Sequence, residues 1–190
     1  MSELIAALTP VVDALHTLEV PFYVGGSVAS SAHGVARASL DVDLVAALEP
    51  DHVARFVTML RDAYYLDGAR IEASVRDRRA FNLVHLDTMF KIDVFVVGHR
   101  PFDREALRRA HDEALGEEPE ALHVPVATAE DVVLAKLEWF RLGGEVSERQ
   151  WGDVVGILKV SAQTIDAAYL KRWASALGLT DLLDRALSAA

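Results

Sequence analysis

The chain has no cysteine among its 190 residues, which excludes a disulfide scaffold, a thiolate zinc site and a cysteine nucleophile. It has no apolar run near the roughly 20 residues that span a bilayer, so no membrane role is expected. Basic residues are scarce: 19 Lys+Arg against 29 Asp+Glu give a formal charge of −10. That balance repels a polyanion at long range and disfavours sequence-independent coating of DNA or RNA. One nucleic-acid end entering a locally basic pocket stays open, as do a cationic small substrate and a nucleotide delivered with Mg2+. Internal repeats, low-complexity tracts and Ser/Pro-rich linkers are missing. So are the GxxxxGK[ST], GxGxxG and HExxH patterns, and the seven histidines (His16, His33, His52, His85, His99, His111 and His123) have no ligand spacing. The N-terminal segment MSELIAALTPVVDALHTLEV lacks a basic start and carries Glu3, Asp13 and His16 among its apolar residues. It reads as an amphipathic helix, not a signal peptide, and a cytoplasmic location is expected.

What is there is a hydrophobic share of 52%, enough to bury a core. Short β-branched runs alternate with longer helical ones. Residues 3–18 read as a helix, with Pro10 behind Thr9. PFYV (21–24) reads as a brief strand ending at Gly25-Gly26, and Ser27 as the cap of a short helix stopped by Gly34. DVDLVAAL (41–48) alternates with period two, as a strand does, and a helix follows over 50–63. FNLVHL (81–86) and FKIDVFVV (90–97) predict two antiparallel strands around Asp87-Thr88. FDREALRRAHDEAL (102–115) predicts one charged helix, and LHVPVAT (122–128) a last strand. Helices are expected over 129–142, 147–160 and 165–189, broken at Gly143-Gly144 and Gly178. The division expected is an α/β core over 1–127 and a helical region over 128–190 packed on it.

The informative stretch is YVGGSVASSAHGVARASLDVDLV, residues 23–45. Gly25-Gly26 forms a turn whose amides no side chain shields, near a helix N-terminus where anions are favoured, and Ser27 adds a hydroxyl. Asp41 and Asp43 lie on one face of their strand, roughly 6.6–6.8 Å apart at ordinary strand rise. Two carboxylates on one face repel, so they look into solvent or hold a cation. Asp93, in an otherwise apolar strand, costs several kcal/mol to bury without a partner. Lys91 on the same face offers it an ion pair. The alternative is that Asp93 joins Asp41 and Asp43 in an oxygen-only site of the kind that suits Mg2+.

Gly25-Gly26-Ser27, then Arg37-x-Ser39-x-Asp41-x-Asp43, then Asp93 in a later strand together resemble the nucleotidyltransferase superfamily typified by DNA polymerase β. ATAEDVVLAKLEWFRLGG with SERQWGDVVGIL (127–158) is similar to the helical pair of the bacterial AbiEii toxin-like branch. Lys136, Arg149 and Asp153 match positions that face the triphosphate in that branch, although Gly152 stands where it often has a basic residue. The resemblance implies an α+β nucleotidyltransferase fold: a short mixed β-sheet flanked by helices, followed by a C-terminal helical region. It implies transfer of a nucleoside monophosphate from an NTP to an acceptor hydroxyl, with release of pyrophosphate. Asp41, Asp43 and Asp93 would be catalytic and would hold two Mg2+ or Mn2+ ions. Gly25, Gly26, Ser27, Arg37, Ser39, Lys136 and Asp153 would bind the nucleotide. The first acceptor it implies is an RNA 3′ end such as that of tRNA, with an antitoxin protein as partner. A small hydroxylated antibiotic is the second acceptor, and a catalytically idle nucleotide-binding or interaction module is the third reading.

Overall fold

The computed structural model describes residues 2–34, 41–116, 119 and 121–190. Among these, the chain divides into two compact units, one from residues 2–25 and 41–126, the other from residues 26–34 and 127–190.

The first unit is an α/β layer. Helix α1 (Glu3–Thr17) is capped by Ser2, whose side chain accepts from the Ile5 amide. Strand β1 (Phe22–Val24) leads out of this unit into α2 (Gly26–Ala32), and the chain returns as β2 (Asp41–Ala46). Then come α3 (Pro50–Leu60), β3 (Tyr64–Tyr65), α4 (Gly68–Arg76), β4 (Ala80–His85), β5 (Lys91–Val96), α5 (Pro101–Arg109), β6 (His111–Leu115) and β7 (Leu122–Val126). The strands form one seven-stranded mixed sheet, in the order β3-β4-β5-β2-β1-β7-β6. β2 runs parallel to β5, and β1 parallel to β7; the other neighbours are antiparallel.

The period-two pattern decides which face is covered. Val42, Leu44, Ile92, Val94, Phe81 and Leu83 are buried. The same side of the sheet receives α3, where Phe56 meets Phe81 edge-on with ring centroids 6.2 Å apart. Tyr64 on β3 donates its hydroxyl to the Ala7 carbonyl of α1. The alternate positions of β2 and β5 remain half-exposed, and the charged residues of both strands lie there.

Three elements differ from expectation. The helix expected over 102–115 ends at Arg109; Ala110 turns to an extended ψ of 138°, and His111–Leu115 becomes edge strand β6. Its backbone pairs with β7, from His111 opposite Val126 to Leu115 opposite Leu122. That ladder overrides the helical propensity of HDEAL, and the charged side chains suit an edge. Strand β3 and helix α4 have no counterpart in the sequence reading. Helix α4 is nucleated by Asp67, whose carboxylate accepts from the Arg70 amide.

The second unit is helical: α2, α6 (Ala129–Leu142), α7 (Glu148–Val160), α8 (Ala167–Leu177) and α9 (Thr180–Ala189). Thr128, Ser147 and Asp166 cap α6, α7 and α8 through side-chain oxygens. Gly178 ends α8 in the left-handed region at φ 70°, which separates α8 from α9. Helix α2, expected within the α/β core, groups instead with these helices, and His33 just beyond it bonds the Ala127 carbonyl at 2.7 Å. No helix among the described residues is long and apolar enough to cross a membrane.

Candidate active site

In the first unit, the register of β2 against β5 sets four charged residues in a square. Asp41 is opposite Lys91, and Asp43 is opposite Asp93. Parallel neighbours share a face, and adjacent strands lie about 4.8 Å apart. All four are half-exposed, while the intervening Val42 and Ile92 are fully buried. Strand register thus places Asp93 beside Asp43, with Asp41 on the same face.

The square contains its own cation. Lys91 Nζ lies 2.7 Å from Asp93 Oδ2, with side-chain exposures of 45% and 23%. The hydrogen bond to Asp93, followed by the charges of Asp93, Asp41 and Asp43, holds the Lys91 ammonium above the ordinary lysine range, with burial opposing. Among the described residues no group of three or more His, Asp or Glu converges closely enough to hold an ion as the side chains stand. The donor chemistry nonetheless fits a hard divalent cation: three carboxylates on one face, with a positive charge already among them.

Across the next ladder, Asn82 of β4 is opposite Asp93, so Asp43, Asp93 and Asn82 form one row over three strands. Asn82 also lines a cavity of about 120 Å3 with Tyr65, Asp67, Arg70 and Phe81. Sequence reasoning missed Asn82. The signal was present, since a polar residue in FNLVHL alternates with apolar ones just as the aspartates do.

The glycine turn differs from expectation in one respect. The Gly25 amide is not bare: it donates to the Asp43 carbonyl at 2.8 Å and extends the β1–β2 ladder. That amide is unavailable to a phosphate. Gly26 has φ 56°, where glycine is favoured over other residues.

In the second unit, Ser27 is buried, and its hydroxyl accepts from the Arg149 guanidinium at 3.3 Å. Arg149 itself is exposed. Lys136 and Asp153 meet each other: Nζ and Oδ2 are 2.8 Å apart, with side chains only 10% and 7% exposed. The pair clamps α6 to α7. Glu130 and Asp131 also have structural work. Glu130 accepts from the Asp166 amide at 2.8 Å, and Asp131 from the Tyr169 hydroxyl at 2.6 Å, which fixes α8 on α6. Arg37 and Ser39, expected to bind nucleotide, lie outside the described residues.

No protein-family model and no curated protein matches the chain. Solved structures do. ANT(2")-Ia in complex with adenylyl-2"-tobramycin superposes with a TM-score of 0.56 at 12% identity, over 93% of this chain and 97% of that one. The solution structure of ANT(2'')-Ia gives 0.53 at 14% identity, over 95% of each chain. An antigenic nucleotidyltransferase-like protein from Paracoccidioides brasiliensis gives 0.55 at 14% identity, over 98% of this chain and 93% of that one. Identities this low speak for architecture, and the architecture is an α+β nucleotidyltransferase fold.

Proposed function

We propose that the chain transfers a nucleoside monophosphate from an NTP to an acceptor hydroxyl. The single observation that carries the reading is the register that sets Asp43 beside Asp93, with Asp41 on the same face. Asp41, Asp43 and Asp93 would hold Mg2+ or Mn2+; bound there, two ions would neutralise the triphosphate and acidify the acceptor hydroxyl. Asp93 takes the hydroxyl proton. The acceptor oxygen forms a bond to the α-phosphorus, the bond from that phosphorus to the bridging oxygen breaks, and pyrophosphate departs. Ser27 and Arg149 offer a hydroxyl and a guanidinium held together, a pairing suited to a phosphate oxygen. Gly26, Arg37 and Ser39 keep the nucleotide-binding role that the motif gives them. Lys136 and Asp153 act at one remove, by fixing the helix that carries Arg149.

The acceptor this reading favours is a small, hydroxylated, cationic molecule. The net charge of −10 supports it, as does likeness in fold to a protein solved with adenylyl-2"-tobramycin. An RNA 3′ end, with an antitoxin partner as in the toxin-like branch, is the other outcome of the same test. An NTP substrate would place the chain in the cytoplasm. The test incubates purified protein with each labelled NTP, Mg2+ or Mn2+, and either an aminoglycoside and lincosamide panel or total RNA. Label on a drug and absent with Asp43→Asn supports the reading; label on RNA replaces the acceptor. Wild type and Asp43→Asn equally inert toward every acceptor would overturn it in favour of an idle module.

A further inference from the structure

Lys91 is the one group in the charged square that the proposed chemistry leaves without a role. Its position is set by the alternation of Lys91-Ile92-Asp93: Ile92 is fully buried, so both neighbours point to the other face. The register then gives Lys91 a carboxylate across the ladder, Asp41, and another two residues along its own strand, Asp93. Asp43 completes the square diagonally. A half-exposed lysine ordinarily extends its ammonium into water. This one instead brings Nζ to 2.7 Å from Asp93 Oδ2, and all three carboxylates act on it.

The consequence is electrostatic. The three carboxylates on one face repel one another, and the Lys91 ammonium offsets part of that repulsion. A divalent ion would offset more, but not while the ammonium occupies Asp93. We infer that Lys91 is a resident counter-ion of the trio, bound to Asp93 in the metal-free protein and displaced when a divalent cation enters. It is a positioning residue, acting through Asp93. The exchange breaks one contact, Lys91 to Asp93, and releases the ammonium to solvent. The inference rests on the reading of the trio as the ion-holding set.

The experiment measures Mn2+ binding without nucleotide, by electron paramagnetic resonance of the free ion, and metal-free thermal unfolding. The proteins are wild type, Lys91→Met, Lys91→Arg and Asp43→Asn. Displaced into solvent, the ammonium still stands near the ion, and a unit positive charge about 5 Å from a divalent ion weakens binding by about tenfold at the dielectric of water. Lys91→Met is therefore expected to bind Mn2+ about tenfold more tightly than wild type. It should unfold at a lower temperature without metal and recover with saturating Mn2+. Lys91→Arg, which keeps the charge, should bind as wild type does. If Lys91→Met unfolds earlier yet binds Mn2+ no more tightly, the lysine is only a structural pair and the inference is overturned. If Lys91→Met does not fold, Lys91→Gln carries the same comparison. Mn2+ bound equally by wild type and Asp43→Asn overturns the reading of the trio itself; binding lost in Asp43→Asn but unchanged in Lys91→Met overturns the lysine's role alone.

Discussion

The buried pair Lys136–Asp153 allows a structural role to be separated from a catalytic one by measurement. Family resemblance assigns both residues to the nucleotide, whereas their contact assigns them to each other. Their side chains are 10% and 7% exposed and bond at 2.8 Å, so water screens them little. Truncating Lys136 to Met would take the ammonium away from the buried Asp153 carboxylate, a loss of about 3–5 kcal/mol. For a chain of this length that is a fall of roughly 10 °C or more in the unfolding midpoint. Replacing both partners, as Lys136→Met with Asp153→Leu, would restore most of the stability, because two apolar side chains of similar volume need no ionic partner. The assay is urea unfolding of wild type, the two single variants and the double variant as a thermodynamic cycle, with NTP binding measured on each folded protein. A coupling of several kcal/mol and NTP affinity within threefold of wild type in the double variant are expected. A Lys136→Met cost below about 1 kcal/mol, or a double variant that is stable yet no longer binds NTP, would refute the reasoning and return Lys136 to the phosphate.

Three further outcomes follow from individual side chains. Arg149→Ala should raise the KM for NTP about tenfold, the value of one charge-assisted hydrogen bond, with the unfolding midpoint unchanged because Arg149 is exposed; steady-state kinetics and a melting curve check both. Asn82→Leu should leave Mn2+ affinity as in wild type, since Asn82 stands opposite Asp93 in the ladder yet carries no charge; electron paramagnetic resonance of the free ion checks it. Burial pushes the Tyr64 phenol well above its ordinary value of about 10. The folded state then holds that proton more tightly than the unfolded one, so stability is intact below about pH 10 and falls as the pH rises further. Tyr64→Phe should flatten that alkaline decline in urea midpoints measured from pH 9 to 11.

The parts of the fold legible in the sequence are those that obey a simple period. Asp41, Asp43, Lys91 and Asp93 alternate with buried Val42 and Ile92, so one face carries all four charges, and their strands are recognisable from that alternation. The caps Thr128, Ser147 and Asp166 and the break at Gly178 delimit helices in the ordinary way. What escaped was decided by contact with a distant element. His111–Leu115 carries helix-forming residues yet pairs with Leu122–Val126, a ladder that local propensity cannot report. Strand β3 has only Tyr64 and Tyr65 and exists because His85 and Val84 lie opposite. Within the site, spacing brings the aspartates to one face but does not show that the Gly25 amide is taken by Asp43, or that Lys136 faces Asp153. Those are facts about partners, and a partner far along the chain leaves no local periodicity.

Paramagnetic broadening tests the central claim most directly. Mn2+ is titrated, with a non-hydrolysable NTP, into isotopically labelled protein, and amide intensities are followed residue by residue. The account predicts early loss of the signals of Val42–Leu44 and Ile92–Val94, then of Asn82, with the charged edge at Asp112 and His123 unaffected. Loss centred on Asp112 and His123, or spread evenly over the acidic surface, would contradict it.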